Sequence, residues 1–181
     1  LYDPAVGLKA ILVVDNTAAG PAIGGVRMAV DVTAEECFRL ARAMTFKNAA
    51  AGLPHGGGKS VIVGDPAMPA ERKERLMRAF ARAIGEITDY IPGPDMGTNE
   101  TAMAWIRNEI GRAVGLPREI GGIPLDEIGA TGWGLAAAAE AAQPQAPAAL
   151  GVDAMFGVHD RTPRDAPRGR AVEQRLRVVG V

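Results

Sequence analysis

The chain is 181 residues long, with 48% apolar and only 4% aromatic residues and a formal net charge of −1. That length suits one domain, or one domain plus part of another, and the near-balance of 20 basic and 21 acidic residues gives no strong field for nucleic acid or an anionic membrane. The lone cysteine, Cys37, excludes an internal disulfide and fits a reducing cytoplasm, and no apolar run approaches the roughly 20 residues of a spanning helix.

No secretory signal opens the chain, which starts at Leu1, so the natural N-terminus is expected further upstream. Leu8 to Val14 reads as a strand through its run Ala10-Ile11-Leu12-Val13-Val14. Gly20-Pro21 marks a turn, and Ile23 to Val30 is a second strand, interrupted at Gly24-Gly25. Thr33-Ala34-Glu35-Glu36 is a capping box that opens a helix. Its positions Cys37, Leu40, Met44 and Lys47 step by three or four, so Lys47 is expected to extend the core-facing stripe. A buried lysine is costly unless paired, so this position needs a reason.

Val61-Ile62-Val63 is a short strand, stopped by Gly64-Asp65-Pro66. Ala70 to Ile87 is a helix with Leu76, Phe80, Ala83 and Ile87 inward and Arg72, Arg75, Arg78 and Arg82 on a solvated face. Asp89 to Ile91 is a strand end before the stiff loop Pro92-Gly93-Pro94-Asp95. A helix with Met103 and Ile106 inward runs from Asn99 to Ile110, residues 120–128 are loop-rich, and Ala130 to Ala142 is a helix of small residues. Alternating strands and helices indicate a layered α/β domain with a mixed sheet flanked by helices. From Gln143 onward proline and arginine dominate and hydrophobic periodicity stops, so residues 143–181 are expected to form an irregular tail.

The segment Thr45 to Ser60 carries two lysines twelve residues apart, the second after three consecutive glycines. It is not a P-loop. The pattern G-x-x-x-x-G-K-[ST] needs glycine where Leu53 stands, and the segment follows a helix and precedes a strand, the reverse of the P-loop context. Gly132-Trp133-Gly134-Leu135-Ala136-Ala137 matches G-x-G-x-x-A, but no strand leads into it, so close helix packing is the better account of these glycines. His55 and His159 are the only histidines and no cluster has metal-ligand spacing, so no metal site is expected.

Read together, Lys47, Gly56 to Lys59 and Asp95 give the chain a close resemblance to the glutamate/leucine/phenylalanine/valine dehydrogenase family. Its pieces, in order, are Gly7-Leu8-Lys9-Ala10, Gly20 to Met28, Met44 to Lys59, Pro94-Asp95-Met96-Gly97-Thr98 and Ala130-Thr131-Gly132. The family oxidatively deaminates L-amino acids to 2-oxo acids and ammonia with NAD or NADP. The resemblance implies that Lys47 binds the substrate carboxylate, that Lys59 activates the water attacking the iminium intermediate, and that Asp95 moves protons at the substrate nitrogen. Gly25, Met44 and Ile23 fall at substrate-binding positions, and Thr131 at one that contacts the nicotinamide amide. Glutamate-specific members carry a lysine where Ile23 stands, so the resemblance implies an apolar or branched-chain substrate, although Tyr90 to Asp95 is more glutamate-like. A cytoplasmic homo-oligomer without nucleic-acid or membrane partners is expected.

The chain departs from the family after Ala142, where a strand and G-x-G-x-x-G should open a Rossmann domain. The expected organisation is a catalytic and oligomerisation domain over residues 1–129, a connecting helix over 130–142 and a divergent tail over 143–181, without the cofactor domain. That pattern implies a fragment, produced by a reading-frame change near Gln143 or by a genuine shortened end. A non-catalytic amino-acid-binding module and an oligomer-forming remnant stay open beside the enzyme.

Overall fold

The computed structural model describes residues 1–125 and 127–142; the expectations for the tail and for His159 lie outside the described residues. Five strands form one mixed sheet: β1 (Tyr2–Asp3), β2 (Leu8–Val14), β3 (Ala22–Ala29), β4 (Gly56–Val63) and β5 (Tyr90–Pro94), in the order β1-β2-β4-β3-β5. β2 pairs antiparallel with both β1 and β4, whereas β3 runs parallel to β4 and β5. Parallel neighbours need a long crossover, and helix α1 (Ala34–Ala50) supplies the one between β3 and β4. Helices α2 (Ala70–Ala83), α3 (Glu100–Ile110) and α4 (Ala130–Ala142) follow, with a 3-10 turn at Arg118–Ile120.

The main core lies on one side of the sheet. Leu8, Ala10, Val26, Met28 and Ile62 pack there against Leu76, Met77, Phe80, Met103 and Ile106 of α2 and α3. On the other side α1 sits directly on β4, burying Cys37 and Ala41 beside Val61. The glycine run explains how close it sits. A Cβ on Gly57 would collide with the α1 backbone at Thr45 and lie 2.6 Å from the Ala41 carbonyl. A Cβ on Gly58, facing the opposite side, would lie 2.8 Å from the Tyr90 ring. Glycine thus lets a helix and an aromatic ring press onto neighbouring positions of one strand.

Several local expectations are corrected. β4 begins at Gly56, five residues before Val61, because α1 and Tyr90 bury the glycines on both faces. β3 runs unbroken through Gly24-Gly25, since β5 pairs with it there, Gly24 with Pro92 and Gly25 with Gly93. α2 ends at Ala83 and leaves Ala83 exposed; Ile84, completely buried, takes the inward place beyond it. Pro92 to Pro94, expected as loop, continues the strand that begins at Tyr90, anchored by Arg112, which donates to the carbonyls of Ile84 (2.8 Å), Ile87 (2.9 Å) and Tyr90 (2.9 Å).

Candidate active site

The candidate residues gather on the α1 side of the sheet. Ile23 pairs with Gly57, and Val26 with Ser60, so the register sets Gly25 beside Lys59. On the other flank Gly25 pairs with Gly93 and Val26 with Pro94, which brings Asp95 alongside Arg27. Lys59 reaches diagonally across Gly25 to form an ion pair with Asp95 Oδ2. Gly25 is what leaves this path open: a Cβ there would sit 2.7 Å from Asp95 Cβ and 3.2 Å from its Cγ.

Lys59 is almost fully buried, with only 5% of its surface exposed, so its charge requires a partner. Asp95 supplies it and has a second cation of its own: Arg27 Nε donates to the same Oδ2 at 3.1 Å. Arg27 Nη1 in turn donates to Glu36 Oε1 of α1 at 2.6 Å. Burial works against ionisation of Asp95, but the hydrogen bond and charge of Lys59, the Met96 backbone N–H and the Arg27 charge outweigh it and hold the carboxyl below its usual range. Thr98 fixes the loop: its hydroxyl accepts from the Asp95 N–H at 3.0 Å and donates to the Val26 carbonyl at 2.8 Å.

Lys47 corrects the expectation of a buried stripe. It is exposed in the last turn of α1, and among the described residues no carboxylate pairs with it. The inner face of α1 is instead Cys37, Ala41 and Asn48. It is drawn in by Thr45, which donates to the buried Asp15 carboxylate at 2.5 Å, by Arg42, 3.1 Å from Asp15 Oδ1, and by Asn48, which donates to the Gly56 carbonyl at 2.7 Å. This rotates the helix so that Glu36, Leu40, Met44 and Lys47 share a flank at helical spacing. Its first member reaches Arg27. Thr45 lies over Gly57, the partner of Ile23, so the end bearing Met44 and Lys47 lies toward Ile23. Met44 and Ile23 are both half-buried.

The structure therefore joins Lys59, Gly25 and Asp95 in one contact network and sets Lys47, Met44 and Ile23 at the far end of α1. It leaves Thr131 apart: α4 contains no buried residue and Thr131 is exposed. Arg27 and Glu36 went unassigned in the sequence. Their signal was available only as a conflict, because Glu36 has the capping-box position yet its carboxylate bonds Arg27; of the box, the contact present is the Glu36 N–H to Thr33 Oγ1, at 3.1 Å. Among the described residues no cluster of His, Cys, Asp and Glu is arranged to hold a metal, and no helix is long and apolar enough to cross a membrane.

A sheet centred on a glycine-rich strand, with a buried lysine paired across a glycine to an aspartate, matches a known class. The sequence profile of the Glu/Leu/Phe/Val dehydrogenase dimerisation domain fits residues 4–112. The leucine dehydrogenase of Geobacillus stearothermophilus is 44% identical over 124 residues, 66% of this chain and 33% of that protein. The leucine dehydrogenase of Bacillus subtilis is 40% identical over 162 residues, 86% of this chain and 42% of that protein. Among solved structures, a hetero-hexameric glutamate dehydrogenase from Thermus thermophilus in its leucine-bound form superposes with a TM-score of 0.58 at 28% identity, covering 67% of this chain and 38% of that one. The chain belongs to the Glu/Leu/Phe/Val dehydrogenase family. It spans between 33% and 42% of the length of these curated relatives.

Proposed function

We propose that this chain carries the substrate side of an NAD(P)-dependent amino-acid dehydrogenase, acting on an apolar or branched-chain L-amino acid in preference to glutamate. The observation that carries the reading is the buried Lys59, paired with Asp95 across Gly25. Lys47, a cation without a carboxylate partner among the described residues, grips the substrate carboxylate. Asp95 accepts a proton from the substrate nitrogen, and Lys59 takes the proton lost by the water that attacks the iminium carbon. Ile23 and Met44 offer an apolar wall, against which a buried side-chain carboxylate would stay unpaired.

The described residues do not fit a dinucleotide site. No strand precedes Gly132-x-Gly134 among them, and Thr131 is exposed on α4. No step through the cofactor is therefore assigned to this chain's residues. Self-association through the domain that bears these residues accompanies the proposal, as does a cytoplasmic location.

The test compares kcat/KM for leucine, valine, phenylalanine and glutamate in wild type and in Lys59→Ala, with calorimetry of leucine and of NADH binding beside it. Turnover of apolar amino acids that Lys59→Ala abolishes, with the fold intact, supports the proposal. Near-normal kcat in Lys59→Ala sinks the lysine assignment, and a glutamate preference refutes the pocket argument. Leucine binding with neither NADH binding nor turnover would make the chain an amino-acid-binding module instead.

A further inference from the structure

Arg27 lies within the glycine-rich β3 motif, has no role in the reading above, and occupies the centre of the charge network. Four ionised groups from four elements meet there: Lys59 of β4, Asp95 after β5, Arg27 of β3 and Glu36 of α1. The two cations do not divide the carboxylate between them. Lys59 Nζ and Arg27 Nε both engage Oδ2, and no side chain among the described residues forms a hydrogen bond or ion pair with Oδ1. A lysine is a point donor on a flexible stem and does not fix the plane of a carboxylate, whereas guanidinium is a rigid planar fork. Here one arm of the fork is tied to Glu36 at 2.6 Å, which sets the rotamer that presents Nε to Asp95. Only 18% of the Arg27 side chain is exposed, so the interaction is partly shielded from solvent and salt.

We propose that Arg27 is a positioning residue for proton transfer at Asp95: anchored by Glu36, it pins Oδ2 together with Lys59 and leaves Oδ1 as the oxygen that takes the substrate proton. The inference rests on the dehydrogenase reading for its chemistry, but not for the geometry. The proton moves from the substrate ammonium nitrogen to Oδ1, leaving a neutral amine and a protonated Asp95, and no bond to carbon changes in that step. The other group acting on the carboxylate is the Met96 backbone N–H, which brings no competing charge; Tyr90 lies on the opposite face of the sheet and donates to the Gly24 carbonyl at 2.8 Å.

The test follows the Asp95 carboxyl by carbon-13 NMR in the chain labelled at its aspartate carboxyls, the resonance being assigned by its loss in Asp95→Asn. Arg27→Met is expected to raise the Asp95 pKa by about one unit, as the loss of an adjacent opposite charge does. Arg27→Lys keeps the charge and is expected to leave the titration close to wild type. In the turnover assay both variants, and Glu36→Ala, are expected to lose on the order of tenfold or more in kcat with little change in KM, because the carboxylate plane is no longer fixed. An Asp95 titration unmoved by Arg27→Met overturns the assignment, as does wild-type kcat in Arg27→Lys. If wild type turns over no amino acid, the functional reading fails by itself while the titration still decides whether Arg27 governs Asp95.

Discussion

Gly25→Ala adds one methyl group where Lys59 crosses to Asp95. The backbone at Gly25 is not left-handed, so the effect is steric rather than conformational. The new Cβ would stand 2.7 Å from Asp95 Cβ and 3.0 Å from the Pro94 carbonyl oxygen, where ordinary contact begins at 3.4 Å. The aspartate must therefore retreat by about 0.7 Å, and Pro94 cannot absorb the shift for it, because β5 is held in register with β3. A misplacement of about 1 Å at reacting groups costs on the order of 100-fold in rate, so a loss of about 10–100-fold in kcat/KM is expected. Overpacking of this kind destabilises by about 1–3 kcal/mol, which a denaturant melt of the same variant reads. The assay is steady-state oxidative deamination of leucine, with the melt as control for folding. A kcat/KM within about twofold of wild type, about 0.4 kcal/mol on the transition state, would refute the view that Gly25 keeps the path between Lys59 and Asp95 open.

Ile23→Lys should place a cation by the apolar wall and shift the ratio of kcat/KM toward glutamate; an unchanged ratio would remove Ile23 from the specificity argument. Asp95 has a folded-state pKa below its unfolded value, so its ionised form stabilises the fold fully above the unfolded value of about 3.9, and that contribution disappears as pH falls through the lower folded value. Acid unfolding of Asp95→Asn, followed by circular dichroism, should therefore show a shallower loss of stability below about pH 4 than wild type. Burial pushes the Cys37 thiol up to about 11, and its Sγ faces the Lys59 carbonyl at 3.3 Å. At pH 8 it should resist alkylation until the chain unfolds, and rapid labelling of the native protein would contradict the packing of α1 on β4.

What the sequence made legible depended on how far apart the cooperating residues lie. The strand Leu8–Val14 follows from its apolar run, the helix cap at Thr33 from the capping-box pattern, and the inward Met103 and Ile106 from helical spacing, all local signals. The α1 stripe failed because Cys37, Leu40, Met44 and Lys47 and the observed Cys37, Ala41 and Asn48 are both acceptable helical spacings. What decides between them is a long-range fact, the clamp of Thr45 and Arg42 on Asp15. The glycine run misled in the same manner: Gly56 to Gly58 have low strand propensity, yet an α1 backbone on one face and Tyr90 on the other leave room for nothing larger.

Arg27 and Glu36 show why a site can be only half visible in its own sequence. Nine residues separate them, and Asp95 lies 68 residues from Arg27, so neither spacing carries a periodic signal. The capping box offered Glu36 a local partner, and the fold gives it a different one because α1 runs back over β3 with its first turn beside Arg27. Lys59 and Asp95 are legible as motifs because each sits among glycines and prolines that mark a special backbone. The charged pair that orients them looks like ordinary strand and helix until the sheet is assembled. The geometry at Asp95 then depends on the placement of α1 as much as on the glycine-rich strand beneath it. Loosening the Asp15 clamp with Thr45→Val should for this reason disturb the Arg27–Asp95 contact through the helix, without touching either residue.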